Sequence, residues 1–355
     1  MGTGRRTTVG IAVAAAVAAG VVVTAPAEAE PGGVVAAAHV DCPEARAEVE
    51  RLEGRLTPNT CAFLRRQITF GEMPTGTPPA ADGAGHPRVA AYLDIFDPDA
   101  SLWEAGGPAQ RGPAVIGASI ANSLRLVPSL RYEGTDVVAD GSTVVFGQRN
   151  EVTLKGRTVV YPQIARNVLG DDGRTIQARR YYDRAVLFQD TLPDTAPTPL
   201  FDGVTDSESD SGAPDPDAAP AAPRLRTGEI PARLAAWNAG DTSALLGRLP
   251  GARLAGPGLD APLTTDAGRR AYLERLFSVA DLRLRAGQVA VGATTTYVEW
   301  HGTATVHDGT ATRTGVPFGI VERFGPDGEW ELYFDTLPLV ADQDEIRELL
   351  RQLAS

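Results

Sequence analysis

The chain nearly repeats itself, and this constrains its fold more than any other feature. Val127-Pro-Ser-Leu-Arg131 returns as Val279-Ala-Asp-Leu-Arg283, and Tyr181-Tyr182-Asp183 returns as Tyr333-Phe334-Asp335. Residues 279 and 335 each lie 152 positions after their counterparts, 127 and 183. Between these anchors, Pro162 and Pro317 are offset by 155, as are the turns Gly170-Asp-Asp-Gly173 and Gly325-Pro-Asp-Gly328. One copy therefore gains three residues in a hairpin and loses them before its last strand. Solenoid repeats run about 20–50 residues, so a period this long implies a duplicated domain.

The 355 residues suit two or three domains, and an apolar fraction of 43% is ordinary for a globular protein. Net charge is −12, with no basic cluster larger than pairs such as Arg269-Arg270. Nucleic acid is therefore not an expected partner, because phosphate binding needs a concentrated basic surface. The N-terminus has the pattern of a signal peptide over residues 1–29: Arg5-Arg6, an apolar run from Val9 to Ala25, and Ala27-Glu28-Ala29 as a small-x-small cleavage site. A run of 17 Ala-rich residues is short for a retained membrane span. Cleavage would leave an exported chain, secreted or associated with the cell envelope, with no stable membrane span. The Ala/Gly/Arg/Asp-heavy composition fits a bacterial source of high GC content. The two cysteines, Cys42 and Cys61, are expected to pair in such a chain, closing a loop that adds about 3 kcal/mol.

Periodicity divides the rest. Residues 30–87 form a helical hairpin, Pro43 to Leu56 and Asn59 to Ile68, followed by a Gly/Pro-rich loop. Residues 88–192 and 228–341 are the two copies. In the first, a helix at Arg88–Leu93 precedes a short strand at Ala100–Glu104, a helix at Pro113–Leu126 and strands at 130–138, 143–154, 157–169 and 174–188. In the second, helices begin at Ile230, Thr242 and Asp266, and strands run over 281–291, 293–306, 310–324 and 329–339. Turns such as Lys155-Gly156 separate neighbouring strands. Residues 193–227, rich in Pro, Ala, Asp and Ser, read as a disordered linker. Residues 342–355 form an amphipathic helix with an Asp342/Glu345 capping box and Ile346, Leu349, Leu350 and Leu353 on one face. Helices followed by an antiparallel meander make each copy α+β.

Several segments carry a family resemblance: Phe96-Asp-Pro-Asp-Ala-Ser-Leu-Trp-Glu104, Arg111-Gly-Pro-Ala-Val-Ile116, Arg180-Tyr-Tyr-Asp183, Ala235-Ala-Trp-Asn-Ala-Gly-Asp241 and Trp330-Glu-Leu-Tyr-Phe-Asp335. Over about 88–190 and 228–340 each copy resembles the SnoaL-like and ketosteroid-isomerase-like domains of the nuclear transport factor 2-like superfamily. The resemblance implies two cone-shaped domains, each with two or three helices on a curved, mainly antiparallel four-stranded sheet plus one short strand. It also implies where catalytic groups would stand. The isomerase base falls at Glu104 in the first copy and near Gly256 in the second. The isomerase tyrosine falls at Arg233. The isomerases' protonated Asp falls near Gln163-Ile164 and Phe318-Gly319, and the epoxide hydrolases' Asp at Arg180 and Leu332. Of these acids only Glu104 survives.

Glu104 is thus the one catalytic candidate, as a general acid or base beside Trp103. Trp103, Tyr161, Gln163, Arg180 and Tyr182 are the candidate ligand-binding residues, on strands whose alternation sends half their side chains inward. No metal site is expected: His301 and His307 lie six apart with no third ligand at a recognisable spacing. Ser119 and Ser123 sit in no hydrolase motif. Asp183 and Asp335, present in both copies, suit capping or pairing with an Arg. Three functions follow as expectations. The first is an exported protein that binds a small apolar molecule in its first cone. The second is an isomerase, cyclase or hydratase working through Glu104 without a cofactor. The third is an interaction module in which the sheets pair within the chain or in a homodimer.

Overall fold

The structure, a computed structural model, describes residues 40–104, 106–206, 225, 227–307 and 311–354. Residues 1–29, whose sequence has the pattern of a signal peptide, lie outside them, as does most of the stretch read as a linker. The first body contains α1 (Arg46–Glu50), β1 (Leu52–Gly54), α2 (Pro58–Glu72), α3 (Pro87–Asp94), β2 (Phe96–Glu104), β3 (Gln110–Arg111) and α4 (Gly112–Leu126). It continues with β4 (Arg131–Asp140), β5 (Thr143–Leu154), β6 (Arg157–Leu169), β7 (Thr175–Tyr181) and α5 (Ala185–Gln189). The second contains α6 (Ile230–Ala239), α7 (Thr242–Leu246), β8 (Arg253–Ala255), α8 (Asp266–Val279) and β9 (Ala280–Val291). It ends with β10 (Thr296–His307), β11 (Thr312–Phe324), β12 (Glu329–Tyr333), α9 (Leu337–Val340) and α10 (Gln343–Ala354).

The repeat is visible in the strand order. The second sheet runs β8-β12-β11-β10-β9, and the first contains the same path as β2-β7-β6-β5-β4. Along this path the opening strand, β8 or β2, pairs in parallel with the body's last strand, and the remaining pairs are antiparallel. The fold is α+β, as the pattern of helices then meander requires.

The first sheet has seven strands rather than five because β1 and β3 join its edges. The segment Pro43–Leu56, read from its periodicity as one helix, stops at Glu50 and becomes β1. Gly54 gives the reason. It has φ +104, and a Cβ there would stand 2.0 Å from the Ala139 carbonyl oxygen, so only glycine lets β1 lie parallel against β4. Cys42 and Cys61 form the expected disulfide, with Cα atoms 5.8 Å apart, joining this segment to α2.

Two long strand readings also end early. The run 174–188 stops at Tyr181 and 329–339 at Tyr333. In each copy the Asp two residues on turns the chain by accepting a backbone N–H: Asp183 from Ala185 at 3.1 Å, and Asp335 from Leu337 at 3.2 Å. The same residues also reach across the repeat. Asp183 accepts from the Thr336 backbone N–H and hydroxyl, and Asp335 from the Arg184 backbone N–H and Nε.

One face of each sheet carries the helices. Tyr92, Ile116, Ile120 and Leu124 pack on Leu102, Val144, Phe146 and Ala178 in the first body. Trp237, Tyr272 and Leu276 pack on Val298, Trp300, Ile320 and Leu332 in the second. The opposite faces meet each other through Val138, Val145, Ile164 and Tyr181 against Ala290, Tyr297 and Val321. Glu53 of β1 adds a polar clasp to the turn before β10, accepting from the backbone N–H and hydroxyl of Thr294 and of Thr295. Burial raises the Glu53 pKa, but those four bonds outweigh it and hold the carboxyl near about 2.

The segment after α5 departs from the linker expectation. Residues 193–206 are described, and Leu200 and Phe201 are buried in the second body's core. Phe201 stacks on Tyr272 at 3.9 Å. Two large apolar side chains within an otherwise polar stretch supply the burial that orders it.

Candidate site inside the first body

Strand register brings the predicted polar residues together. Glu104 and Arg180 are paired neighbours on parallel β2 and β7, Arg180 lies opposite Ala165 of β6, and Asn150 and Gln148 lie opposite Tyr161 and Gln163. All share the helix-covered face, by the same alternation that buries Leu102, Phe146, Ala165 and Ala178. Arg180 Nη1 donates to Glu104 Oε1 at 3.4 Å, and its guanidinium stands 4.9 Å from the centre of the Tyr92 ring. Tyr161 and Tyr182 face each other at 5.5 Å, and Gln163 Nε2 donates to Gln148 Oε1 at 2.5 Å.

The electrostatics follow from enclosure. Burial pushes the Tyr92, Tyr132 and Tyr161 phenols well above the usual tyrosine range, so each remains a neutral O–H. The charge of Glu104 pushes Tyr92 and Tyr161 the same way, and that of Arg180 opposes it. For Arg180 itself burial works against the charge, but the interactions around it, the Glu104 carboxylate among them, outweigh it and raise its pKa. The side chains of Glu104 and Arg180 keep 24% and 16% of their surface exposed, so solvent reaches this pair where it does not reach Tyr92.

Three donors in this interior have no hydrogen-bond partner: Arg180 Nε, Asn150 Nδ2 and Arg88 Nε. Buried polar groups are satisfied in the great majority of cases, so three such donors in one body call for an acceptor. Arg88 is otherwise fixed through Nη2 to the Leu130 carbonyl at 2.7 Å and over the Phe70 ring at 5.2 Å.

Trp103 stands apart from this group. It sits on the other face of β2, 5.4 Å from Tyr181, with its ring over Gly319 of the second body. A strand cannot send neighbours 103 and 104 to one face, so alternation excludes Trp103 from the interior that holds Glu104. Sequence reasoning missed Arg88, Tyr92 and Tyr132. Arg88 and Tyr92 stand four apart on α3, so helical periodicity alone places them on one face.

The second body fills the equivalent space. Arg233 forms a two-pronged pair with Glu322, Nε to Oε2 at 2.7 Å and Nη2 to Oε1 at 2.6 Å. Trp300 and Trp330 add their indole N–H groups to Glu322 at 2.8 and 3.1 Å. Arg233 lies 5.1 Å from the centres of both the Phe324 and Trp330 rings. Gly256 and Leu332 occupy the positions matching Glu104 and Arg180. A Cβ at Gly256 would stand 2.6 Å from the Tyr272 hydroxyl, which with the stacked Phe201 closes that end.

His301 is half-buried and accepts from Arg285 Nε at 3.0 Å, while His307 is paired with Asp281 at the surface. No group of three metal-ligating side chains occurs among the described residues.

Residues 81–178 match the SnoaL-like domain model. No curated protein is similar enough in sequence to match. Solved structures with similar folds include TerC crystallised with polyporic acid, 19% identical over 39% of this chain and 99% of that one, with a TM-score of 0.32. A second, from Jannaschia sp. CCS1, is described as a SnoaL-like polyketide cyclase; it is 16% identical over 38% of this chain and 95% of that one, TM-score 0.32. A third, from Catenulispora acidiphila DSM 44928, has a ketosteroid-isomerase-like fold and was solved with trimethylamine; it is 15% identical over 36% and 91%, TM-score 0.30.

Proposed function

We propose, taking residues 81–178 as a SnoaL-like domain, that this chain is an exported small-molecule-binding protein whose first body holds the ligand. That family combines a common fold with cyclases, isomerases and binders, so the residues of the interior must carry the distinction. The observation that carries the reading is the contrast between the bodies. Glu322 satisfies Arg233, Trp300 and Trp330 together, leaving the second body only the Trp237 indole N–H unpartnered among the described buried side chains, whereas the first interior leaves Arg180, Asn150 and Arg88 each with an unused N–H. These are donors beside tyrosine rings. They suit a small, largely apolar molecule with carbonyl or hydroxyl oxygens, its body against Tyr161 and Tyr182 and its oxygen toward Arg180. The Cys42–Cys61 bond is consistent with export into an oxidising compartment.

Acid/base chemistry at Glu104 is the second reading. It is favoured by the carboxylate's place on the same interior face, within reach of solvent. Calorimetric titration with 1-tetralone and its oxygen-free counterpart tetralin tests the binding reading. Saturable binding of the ketone at least tenfold tighter than of the hydrocarbon is expected, with the difference abolished in Arg180→Leu and kept in Glu104→Gln. Ketone binding that is absent, or unchanged in Arg180→Leu, would overturn it.

A further inference from the structure

We propose that the crevice between the two sheets beside Trp103 is a second binding site, for a small aromatic carboxylate held by Arg179 and Arg285. It is independent of the first interior, because Arg179 and Arg180 point to opposite faces of β7. The crevice encloses about 270 Å³ and is lined by Leu102 and Trp103 of β2, Arg179 of β7, Arg285 of β9, His301 of β10 and Phe318 of β11, among others. Small-ligand sites span roughly 300–1,000 Å³, so this volume suits a single ring with one charged group.

Its charge is one-sided. Among the described residues, no Asp or Glu lines it. The carboxylate beside Arg179, Glu299, is 2% exposed and already engaged. Its Oε1 accepts from Arg166 Nε and Nη2, both at 3.0 Å, and from the Tyr181 hydroxyl at 2.6 Å, while Oε2 accepts from the Gln288 backbone N–H at 2.9 Å. Arg179 Nη1 lies farther off, 3.5 Å from Oε1, and makes no hydrogen bond. Two guanidiniums thus share one carboxylate, and the surplus charge stands on the residue that lines the crevice. Arg285 adds a second cation, exposed on β9, whose Nε donates to His301 Nδ1. That bond makes His301 an acceptor at Nδ1 and leaves its proton on Nε2, as a further donor. Burial and the nearby Arg179 charge agree with this, pushing the imidazole pKa down to about 4.

The walls supply the apolar half. Phe318 is buried, and Trp103 lies over Gly319, where a Cβ would come within 3.6 Å of the indole. Guanidiniums pair with planar carboxylates through two parallel hydrogen bonds, which a neutral amide cannot match in charge. In a chain of net charge −12, a cationic crevice also selects anions by its local field.

Benzoate and its neutral isostere benzamide are the probes, titrated calorimetrically into the chain and its Arg285→Gln variant. Arg285 is exposed, so its replacement leaves both cores intact. Benzoate is expected to bind saturably, at least tenfold tighter than benzamide and at least tenfold tighter than to Arg285→Gln. It is also expected to quench indole fluorescence, an effect lost in Trp103→Phe. The proposal fails if benzoate gives no saturable heat, if benzamide binds equally, if Arg285→Gln binds as well, or if quenching survives in Trp103→Phe.

Discussion

Glu322 shows how one residue can fill and satisfy the interior of a body. Its carboxylate is fully buried and takes four hydrogen bonds from Arg233, Trp300 and Trp330. A buried pair of this kind adds little beyond an apolar replacement, but removing one partner strands the other charge, at about 3–5 kcal/mol. Glu322→Ala is expected to lower stability by about that much. The Glu322→Ala/Arg233→Met double variant should lose less than the sum of the two single changes. Urea unfolding midpoints read both, and additive losses would contradict the coupling. Sequence reasoning placed Arg233 where the isomerases carry a tyrosine, but it found no partner for it. The signal was present: Glu322 is the one acid in the run Phe318-Gly-Ile-Val-Glu-Arg-Phe324, at the spacing that shares a face with Ile320 and Phe324. The first interior was more legible, because polar residues crowd its strands. Alternation makes Tyr161, Gln163, Arg180 and Glu104 compatible with one face, but fixing which parity faces inward took the packing of α3 and α4.

Among the elements, strands bounded by tight turns were the most legible. Both β5 and β6 begin and end where the sequence places them, because Lys155 and Gly156, both at positive φ, fix a two-residue turn between them. The elements misread are those whose limits depend on distant contacts. The first helix gives way to β1 because β4 offers an edge to pair with; Gly54 permits that pairing, but nothing local to Pro43–Leu56 announces the partner strand. The last helix, α10, was legible in its capping, since Asp342 accepts from the backbone of Asp344 and Glu345 while Glu345 returns a bond to the Asp342 N–H. What it covers was not legible. Ile346, Leu349 and Leu353 pack with Val152, Leu154, Val159, Tyr161 and Phe188 of the first body. Within this stripe, Leu349 is 4% exposed and Leu350 39%. Leu349→Ala is expected to cost about 2–5 kcal/mol and Leu350→Ala about 0.5 or less. Equal losses in thermal unfolding would show that α10 does not dock on the first body.

At the scale of the whole molecule, the repeat anchors Asp183 and Asp335 turn out to be the join between the copies. Each turns its own chain and accepts hydrogen bonds from the other body, so the 152-residue periodicity marks a reciprocal contact. The sequence supported a structural role for them, because copies with different interiors kept the same residue. It could not show that they face each other. Their proximity has a pH consequence. Burial raises the Asp183 pKa, the negative charge of Asp335 raises it further, and the bonds from Thr336 and Ala185 only partly offset this, leaving it near about 7. An unfolded Asp titrates near about 3.9. The folded state therefore holds the proton more tightly than the unfolded state. The stability this group contributes is present in full below about pH 4 and is lost as pH rises through about 7. Asn at this position keeps an oxygen for Thr336 and Ala185 and cannot ionise. The melting temperature of Asp183→Asn relative to the parent chain is therefore expected to rise between pH 5 and pH 8, as the parent loses stability that the variant does not. A difference that stays constant over that range would mean that the two carboxylates do not share a proton-dependent strain, and that the reciprocal hydrogen bonds of Asp183 and Asp335 join the copies without a titrating penalty.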